Sequence, residues 1–268
     1  MSTGRPCLTR SVQIPVPGTA APMTGYLARP ATAEPAGSVI GGMELFGLSA
    51  HVRDVCDRLA DVGYLAIAPD LYHRSAPGIE LPEDEAGRAR GFQLLAQLTR
   101  PQVLTDITAT IDYLAEYTVP LAGMIGLSVG GHVAYLAAAH LHIPATVIFY
   151  GGWIPTTDIT ISQPEPTIAA TGGITGRVLM VIGEKDTLIP PEQRRQLADA
   201  LRAAHIEHEL IQYPEASHGF LSDRRASFHP QAAHDAWTRL ARFLNETPES
   251  RVIGAQVTVP ARDPLARS

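Results

Sequence analysis

A serine stands between two glycine-bearing flanks at Gly126-Leu127-Ser128-Val129-Gly130, where the apolar run of residues 121–127 gives way to a helical pattern. Small residues two before and two after the serine let the chain turn sharply from strand to helix and leave the hydroxyl exposed at the sheet edge. The same five residues also suit a plain glycine turn with an incidental serine, so the pattern does not decide by itself. An alcohol is a poor nucleophile near neutral pH. It needs a base to take its proton during attack, and a carboxylate to fix the tautomer of that base. Both types follow downstream, in the order expected for a nucleophile on such a turn. Asp186 lies in "GEKDTLIP", directly after the apolar run "RVLMVIG", and His218 lies in "YPEASHGF", just past the next strand pattern. Of the ten histidines, His218 alone combines a strand-end position with a following glycine that leaves the backbone room to place the ring.

Attack on a carbonyl puts negative charge on its oxygen, and each preorganised N–H donor there contributes about 3 to 4 kcal/mol. The amide of Val129, next after the serine at a helix N-terminus, is the first candidate. The second is expected from the loop after an earlier strand, where "GGMELFG" places Leu45. Glu44, its neighbour, is an odd residue to find beside an oxyanion site. Competing chemistries find less support: there is no H-E-x-x-H for zinc, "GLSVGGH" lacks the lysine and spacing of a P-loop, and "VIGGMELFG" is not a dinucleotide fingerprint. Neither a metal nor a cofactor is expected.

The elements that must position these residues read as alternating strands and helices. Residues 10–16 and 22–29 form an opening antiparallel pair, and "SVIGGMELFG" supplies a short buried strand. Apolar positions 52, 55, 56, 59 and 62 recur at helical spacing before the strand "GYLAIAPDLY". Helices are expected in "LPEDEAGRAR", in "VLTDITATIDYLAEY", over 130–140, over about 191–204 and in "HPQAAHDAWTRLARFLNE". Strands are expected in "LAGMIGL", "ATVIFYGG", "RVLMVIGEKD" and "HELIQYPEA". The class is α/β, with a mostly parallel central sheet covered by helices on both faces. Residues 152–176 are too rich in Pro, Thr and Gly for regular structure, and they leave from a carboxyl strand end where ligands sit in such sheets. They form either a substrate-facing wall or a plain surface loop. A leader over 1–9, one domain over 10–247 and a tail over 248–268, loosely attached at most, complete the expected organisation.

The bulk properties narrow the partners. A chain of 268 residues with 45% apolar residues can bury a sizeable core, and a net charge of -6 without long like-charge blocks offers no footprint for nucleic acid or anionic lipid. No signal peptide is visible, and no apolar run reaches the roughly 18 residues of a membrane span, so a cytoplasmic location is expected. Cys7 and Cys56 are the only cysteines, and they suggest no disulfide framework.

Five stretches carry a resemblance to the dienelactone hydrolase family: "MELFGLSAHVRDVCDRLADVGYLAIAPDLYHRSAPG", "DEAGRARG", "GLSVGGHVAY", "GEKDTLIP" and "SHGFLSDRRASFHPQAAHDAWTRLARFL". It covers about residues 10–245. It implies an α/β-hydrolase fold, a Cys-His-Asp triad and cofactor-free hydrolysis of the lactone ester of small carboxylated compounds. Carried over, it assigns Ser128 to the nucleophile, Asp186 to the orienting acid and His218 to the base. It also matches Glu44 to the glutamate that contacts the nucleophile and Leu45 to an oxyanion donor. This chain has serine where the archetypal members have cysteine, so a pre-ionised thiolate is replaced by a hydroxyl that must be deprotonated in concert with attack. Arg88 fits one of the family's two substrate-carboxylate arginines. The other position, four after the histidine, is Ser222, with Arg224 and Arg225 nearby at a different spacing. Phe92 stands where dienelactone-cleaving members have tyrosine.

The expected function is hydrolysis of a small ester or lactone through an acyl-enzyme, of the carboxymethylenebutenolidase type, by a monomer or homodimer, with Glu44, Arg88 and Phe92 as substrate contacts. The alternatives are a non-catalytic member that uses the cleft to bind a ligand or partner, and an acyltransferase.

Overall fold

The computed structural model describes residues 7–246 and the backbone of 255–258. Within them, nine strands form one sheet. In chain order these are β1 (Cys7–Ile14), β2 (Met23–Pro30), β3 (Ser38–Gly42), β4 (Leu65–Pro69), β5 (Leu121–Leu127), β6 (Ala145–Phe149), β7 (Arg177–Gly183), β8 (His208–Tyr213) and β9 (Ala255–Thr258). Across the sheet they run β1-β2-β4-β3-β5-β6-β7-β8-β9. The β1–β2 and β2–β4 pairs are antiparallel, and every pair from β4 to β9 is parallel.

Strands β3, β4, β6 and β7 are buried at every position. Such unbroken burial requires cover on both faces, which is why these strands read as continuous apolar runs rather than alternating ones. The cover comes from α1 (Ala50–Asp61), α2 (Glu85–Leu95), α3 (Arg100–Ala115), α4 (Val129–His140), α5 (Pro191–Ala203) and α6 (Pro230–Asn245). Helix α1 meets α6 through Arg58 over the Trp237 ring at 5.2 Å, and α3 packs on α4. This is the α/β-hydrolase arrangement that the resemblance implies. Sequence order reverses at β3, whose neighbours are β4 and β5, and the crevice beyond the carboxyl ends of β3 and β5 is where such sheets bind ligands.

Three expectations need correction. Strand β1 starts at Cys7, inside the expected leader, and pairs along its full length with β2; residues 1–6 lie outside the described residues. The tail is more than loosely attached, because 255–258 pair in parallel with β8 and cover an edge that would otherwise present unpaired backbone groups. The rest of it, 248–254 and 259–268, lies outside the described residues. Residues 152–176 hold two 3-10 turns, Thr160–Ser162 and Thr167–Gly173, in an otherwise irregular path. Among the described residues no helix is long and apolar enough to cross a membrane.

Candidate active site

Strand β5 delivers Ser128 to the carboxyl edge, and α4 starts at the next residue. Ser128 has φ 55° and ψ −116°, a conformation that costs a non-glycine residue of order 1–3 kcal/mol and persists only where the surroundings over-determine it. The surroundings here are backbone. A Cβ built on Gly126 would come within 1.9 Å of the Gly130 carbonyl oxygen, and one on Gly130 within 2.5 Å of the Gly42 oxygen. Glycines at 126 and 130 thus let β5, the first turn of α4 and the end of β3 touch directly, and the turn is held where the hydroxyl projects. The Ser128 amide donates to the Phe149 carbonyl at 3.0 Å, tying the elbow to the end of β6.

The three residues singled out from distant parts of the chain converge. Ser128 Oγ lies 2.9 Å from His218 Nε2, and His218 Nδ1 lies 2.8 Å from Asp186 Oδ2. The carboxylate can only accept, so Nδ1 carries the proton and Nε2 is the free lone pair facing the hydroxyl. Asp186 is buried, and its other oxygen accepts from the Leu188 amide at 2.9 Å. The Asp186 loop is held by Arg194 of α5, which donates to the carbonyls of Ile189 at 2.7 Å and Glu184 at 2.8 Å. The His218 ring is set by an edge contact with Tyr150 at 5.1 Å, and Gly219 follows at φ 75°. Neither Arg194 nor Tyr150 carries a motif that would single it out in the sequence.

Of the oxyanion candidates, Val129 directly follows Ser128, and Leu45 comes shortly after β3, whose end meets Gly130. Val129 occupies the first turn of α4, where amides lack an intrahelical acceptor. The Leu45 amide makes no backbone hydrogen bond among the described residues, while its carbonyl accepts from the buried Tyr72 hydroxyl at 3.1 Å. Helix α2 rests on the same residue, since a Cβ on Gly91 would lie 2.6 Å from Leu45 Cγ. Leu45 is therefore clamped between Tyr72 and α2, and Tyr72 is a third contributor without a sequence signal.

Glu44 is buried and faces Arg225, not the serine. Arg225 Nη1 donates to Glu44 Oε1 at 3.0 Å, Nη2 bonds the other oxygen, and Nε bonds Glu83. The guanidinium also lies 5.2 Å over the Phe46 ring. Burial alone would lower the Arg225 pKa, but the Glu44 charge and the hydrogen bonds that Arg225 donates to Glu83 and Glu44 outweigh it, and the net shift is upward. The buried Tyr150 hydroxyl has no partner in good geometry, and its pKa is raised well above 10 by burial first and by the Glu44 charge second. Ser222, four after the histidine, is buried with its hydroxyl unpartnered. Arg224 reaches outward to Asp54. Arg88 is exposed on α2 and makes no side-chain bond among the described residues. Phe92, also on α2, is 41% exposed and meets Trp153 edge-on at 6.2 Å.

An alcohol bonded to an imidazole that is itself bonded to a carboxylate can lose its proton during attack on an acyl carbon. Comparison with known proteins places the chain among hydrolases. The profile described as "Dienelactone hydrolase family" matches residues 23–247. A protein of Synechocystis sp. named "Putative carboxymethylenebutenolidase" is 36% identical over 238 residues, covering 88% of this chain and 96% of that protein. The protein of the same name from Escherichia coli K12 is 34% identical over 240 residues, covering 86% of this chain and 85% of that one. A crystal structure from Klebsiella pneumoniae, described as a "Putative Dienelactone Hydrolase", superposes with a TM-score of 0.80 at 33% identity, covering 90% of this chain and all of that one.

Proposed function

This chain belongs to the dienelactone hydrolase family, and we propose that within it the protein is a serine-dependent hydrolase of small esters or lactones acting through an acyl-enzyme. The observation that carries the reading is the continuous hydrogen-bonded line from Ser128 Oγ through both nitrogens of His218 to Asp186. Ser128 Oγ bonds to the substrate's carbonyl carbon while its proton passes to His218 Nε2. Asp186 stabilises the resulting imidazolium, and the amides of Val129 and Leu45 receive the carbonyl oxygen's charge. The tetrahedral intermediate collapses, the C–O bond to the alcohol breaks, and His218 returns the proton to the departing oxygen. For a lactone that alcohol stays tethered to the acyl group. Water then repeats the sequence on the acyl-serine, giving up one proton to His218 and releasing the acid.

A hydroxyl suits this site because the geometry already supplies its base. Glu44, the residue that the resemblance pairs with a thiol nucleophile, is engaged with Arg225, and no hydrogen bond joins it to Ser128. Its part in this reading is to anchor Arg225 behind the Tyr150 and His218 rings. The reading is tested by labelling with a fluorophosphonate probe and by turnover of 4-nitrophenyl acetate. Wild type is expected to take up one probe per chain at Ser128, and Ser128→Ala to lose labelling and about a million-fold in kcat. Turnover by Ser128→Ala within tenfold of wild type would remove the serine from the mechanism.

A further inference from the structure

The chain leaves β3 and β5 side by side at the carboxyl edge of the sheet. Gly42 of β3 stands in register with Gly126 of β5, so Leu45 and Ser128 follow shortly from neighbouring positions. A Cβ on Gly130, in the first turn of α4, would meet the Gly42 oxygen at 2.5 Å and the Met43 oxygen at 2.6 Å, so the stretch leading to Leu45 lies against that turn. Its next three carbonyls are all held. Glu44 accepts from the Gly47 amide at 3.3 Å, Leu45 from the Tyr72 hydroxyl at 3.1 Å and Phe46 from the Leu81 amide at 3.0 Å. Two of these donors are backbone. The third is the Tyr72 side chain, the one link that a substitution removes without touching the main chain.

Tyr72 is itself fixed from both sides. The buried Asp70 carboxylate accepts from the Tyr72 amide at 3.0 Å and from the Gly78 amide at 2.7 Å, which ties the two ends of this loop together. Arg74 donates through two nitrogens to the buried Asp106 of α3, at 2.6 and 2.7 Å, and His73 meets the same carboxylate at 3.2 Å. The phenol is fully buried, so it cannot touch substrate. Burial pushes its pKa up, and the hydroxyl keeps its proton and remains a donor through the neutral range.

Resting on the serine-hydrolase reading above, we propose that Tyr72 is a positioning residue for the reaction, its hydroxyl fixing the Leu45 carbonyl so that the Leu45 amide points at the oxygen that gains charge. Without this bond the Leu45 carbonyl loses its donor and the residue can turn about its own backbone, which swings the amide out of line. The loss falls on the transition state. The substrate's carbonyl oxygen carries little charge before attack, so ground-state binding changes little while stabilisation of the oxyanion declines.

The test compares Tyr72→Phe with Tyr64→Phe, which also removes one buried tyrosine hydroxyl, bonded to Asn245 at 2.9 Å, but at the opposite end of β4. Tyr72→Phe is expected to lower kcat/KM for 4-nitrophenyl acetate by about 10- to 100-fold. It should weaken inhibition by trifluoromethyl butyl ketone, which forms a tetrahedral adduct with a nucleophilic serine, by a similar factor. Inhibition by the matching alcohol, which forms no adduct, should change less than about threefold. Tyr64→Phe should keep the wild-type kcat/KM and the wild-type ratio of ketone to alcohol inhibition, even where its thermal stability falls as far as that of Tyr72→Phe. If Tyr72→Phe fails to fold, wild type decides: with isotope-labelled leucine, the Leu45 amide proton is expected to move downfield in the NMR spectrum when the ketone adduct forms. A kcat/KM for Tyr72→Phe within threefold of wild type, an unchanged ratio of ketone to alcohol inhibition, or a Leu45 amide that does not respond to the adduct overturns the inference. Fluorophosphonate labelling separates the two levels: a labelled wild type whose Tyr72→Phe variant keeps its rate sinks this inference alone, whereas no labelling sinks the serine-hydrolase reading on which it rests.

Discussion

Two histidines flank the nucleophile turn, each engaged through both ring nitrogens, and their surroundings give them opposite work. His218, partly open to the cleft, lies between the Ser128 hydroxyl and the Asp186 carboxylate. His132, one helical turn after Ser128 and fully buried, lies between the Gly152 carbonyl and the Thr167 hydroxyl. A carbonyl only accepts, so His132 Nδ1 donates to Gly152 and Nε2 accepts from Thr167, which fixes one neutral tautomer. Burial lowers its pKa from 6.5 to about 4. A carboxylate can stabilise an imidazolium formed in passing, whereas a carbonyl and a hydroxyl in a dry interior offset too little of the desolvation cost. What the second nitrogen faces decides whether an imidazole moves protons or holds backbone.

The comparison breaks most visibly at the first of these sites. Asp186→Asn keeps the shape but removes the charge behind His218 and permits the wrong tautomer. Turnover of 4-nitrophenyl acetate at pH 7 is expected to drop by about 10⁴-fold with the fold intact by circular dichroism. A loss below tenfold would show that the carboxylate does not orient the base. At the second site the damage falls on stability. His132→Ala strands two buried polar groups and opens a cavity, and urea unfolding at pH 7 should show a loss of about 3 kcal/mol. An unchanged unfolding midpoint would show that the link between α4 and the 152–173 connection carries no load.

The smallest expected effect sharpens the contrast through pH. The folded-state pKa of His132 lies below its unfolded value, so the interaction is fully present above pH 6.5. It weakens as pH falls from 6.5 toward 4, where the unfolded chain takes up a proton that the folded chain excludes. The stability advantage of wild type over His132→Ala should therefore shrink by roughly 2–3 kcal/mol between pH 7 and pH 4.5. A constant difference over that range would mean that His132 titrates alike in both states.

Much of the architecture was legible because the relevant signals are local. Apolar runs of five to seven residues mark β3 to β7, and glycines at 126 and 130 mark the elbow because a Cβ at either would strike backbone within 2.5 Å. Asp186 and His218 were readable because each follows a strand, and strand ends in a parallel sheet share one edge. The partners of those residues were not. Arg225, seven positions after His218 where the resemblance puts an arginine four after it, curls back across the 219–225 turn to Glu44, 181 positions away in the chain. Tyr72, Tyr150 and Arg194 act through a single ring or donor placed against backbone, and such contacts leave no periodicity. The strand over 255–258 was missed because pairing at an edge depends on which edge lies open, a property of the assembled sheet.

By itself the sequence determined the class of sheet, the sharp turn that presents Ser128, and the chain order of acid and base, because each follows from short-range sterics and burial period. Only the tertiary structure decided that the Ser128 hydroxyl and the His218 imidazole meet at 2.9 Å, that Glu44 is committed to Arg225, and that Phe92 and Trp153 close on one another. The reason is physical: those distances depend on packing between elements separated by 60 to 180 residues. Backbone propensity stops acting within a few residues, while the direction of a side chain across a cleft is settled by everything that packs beneath it.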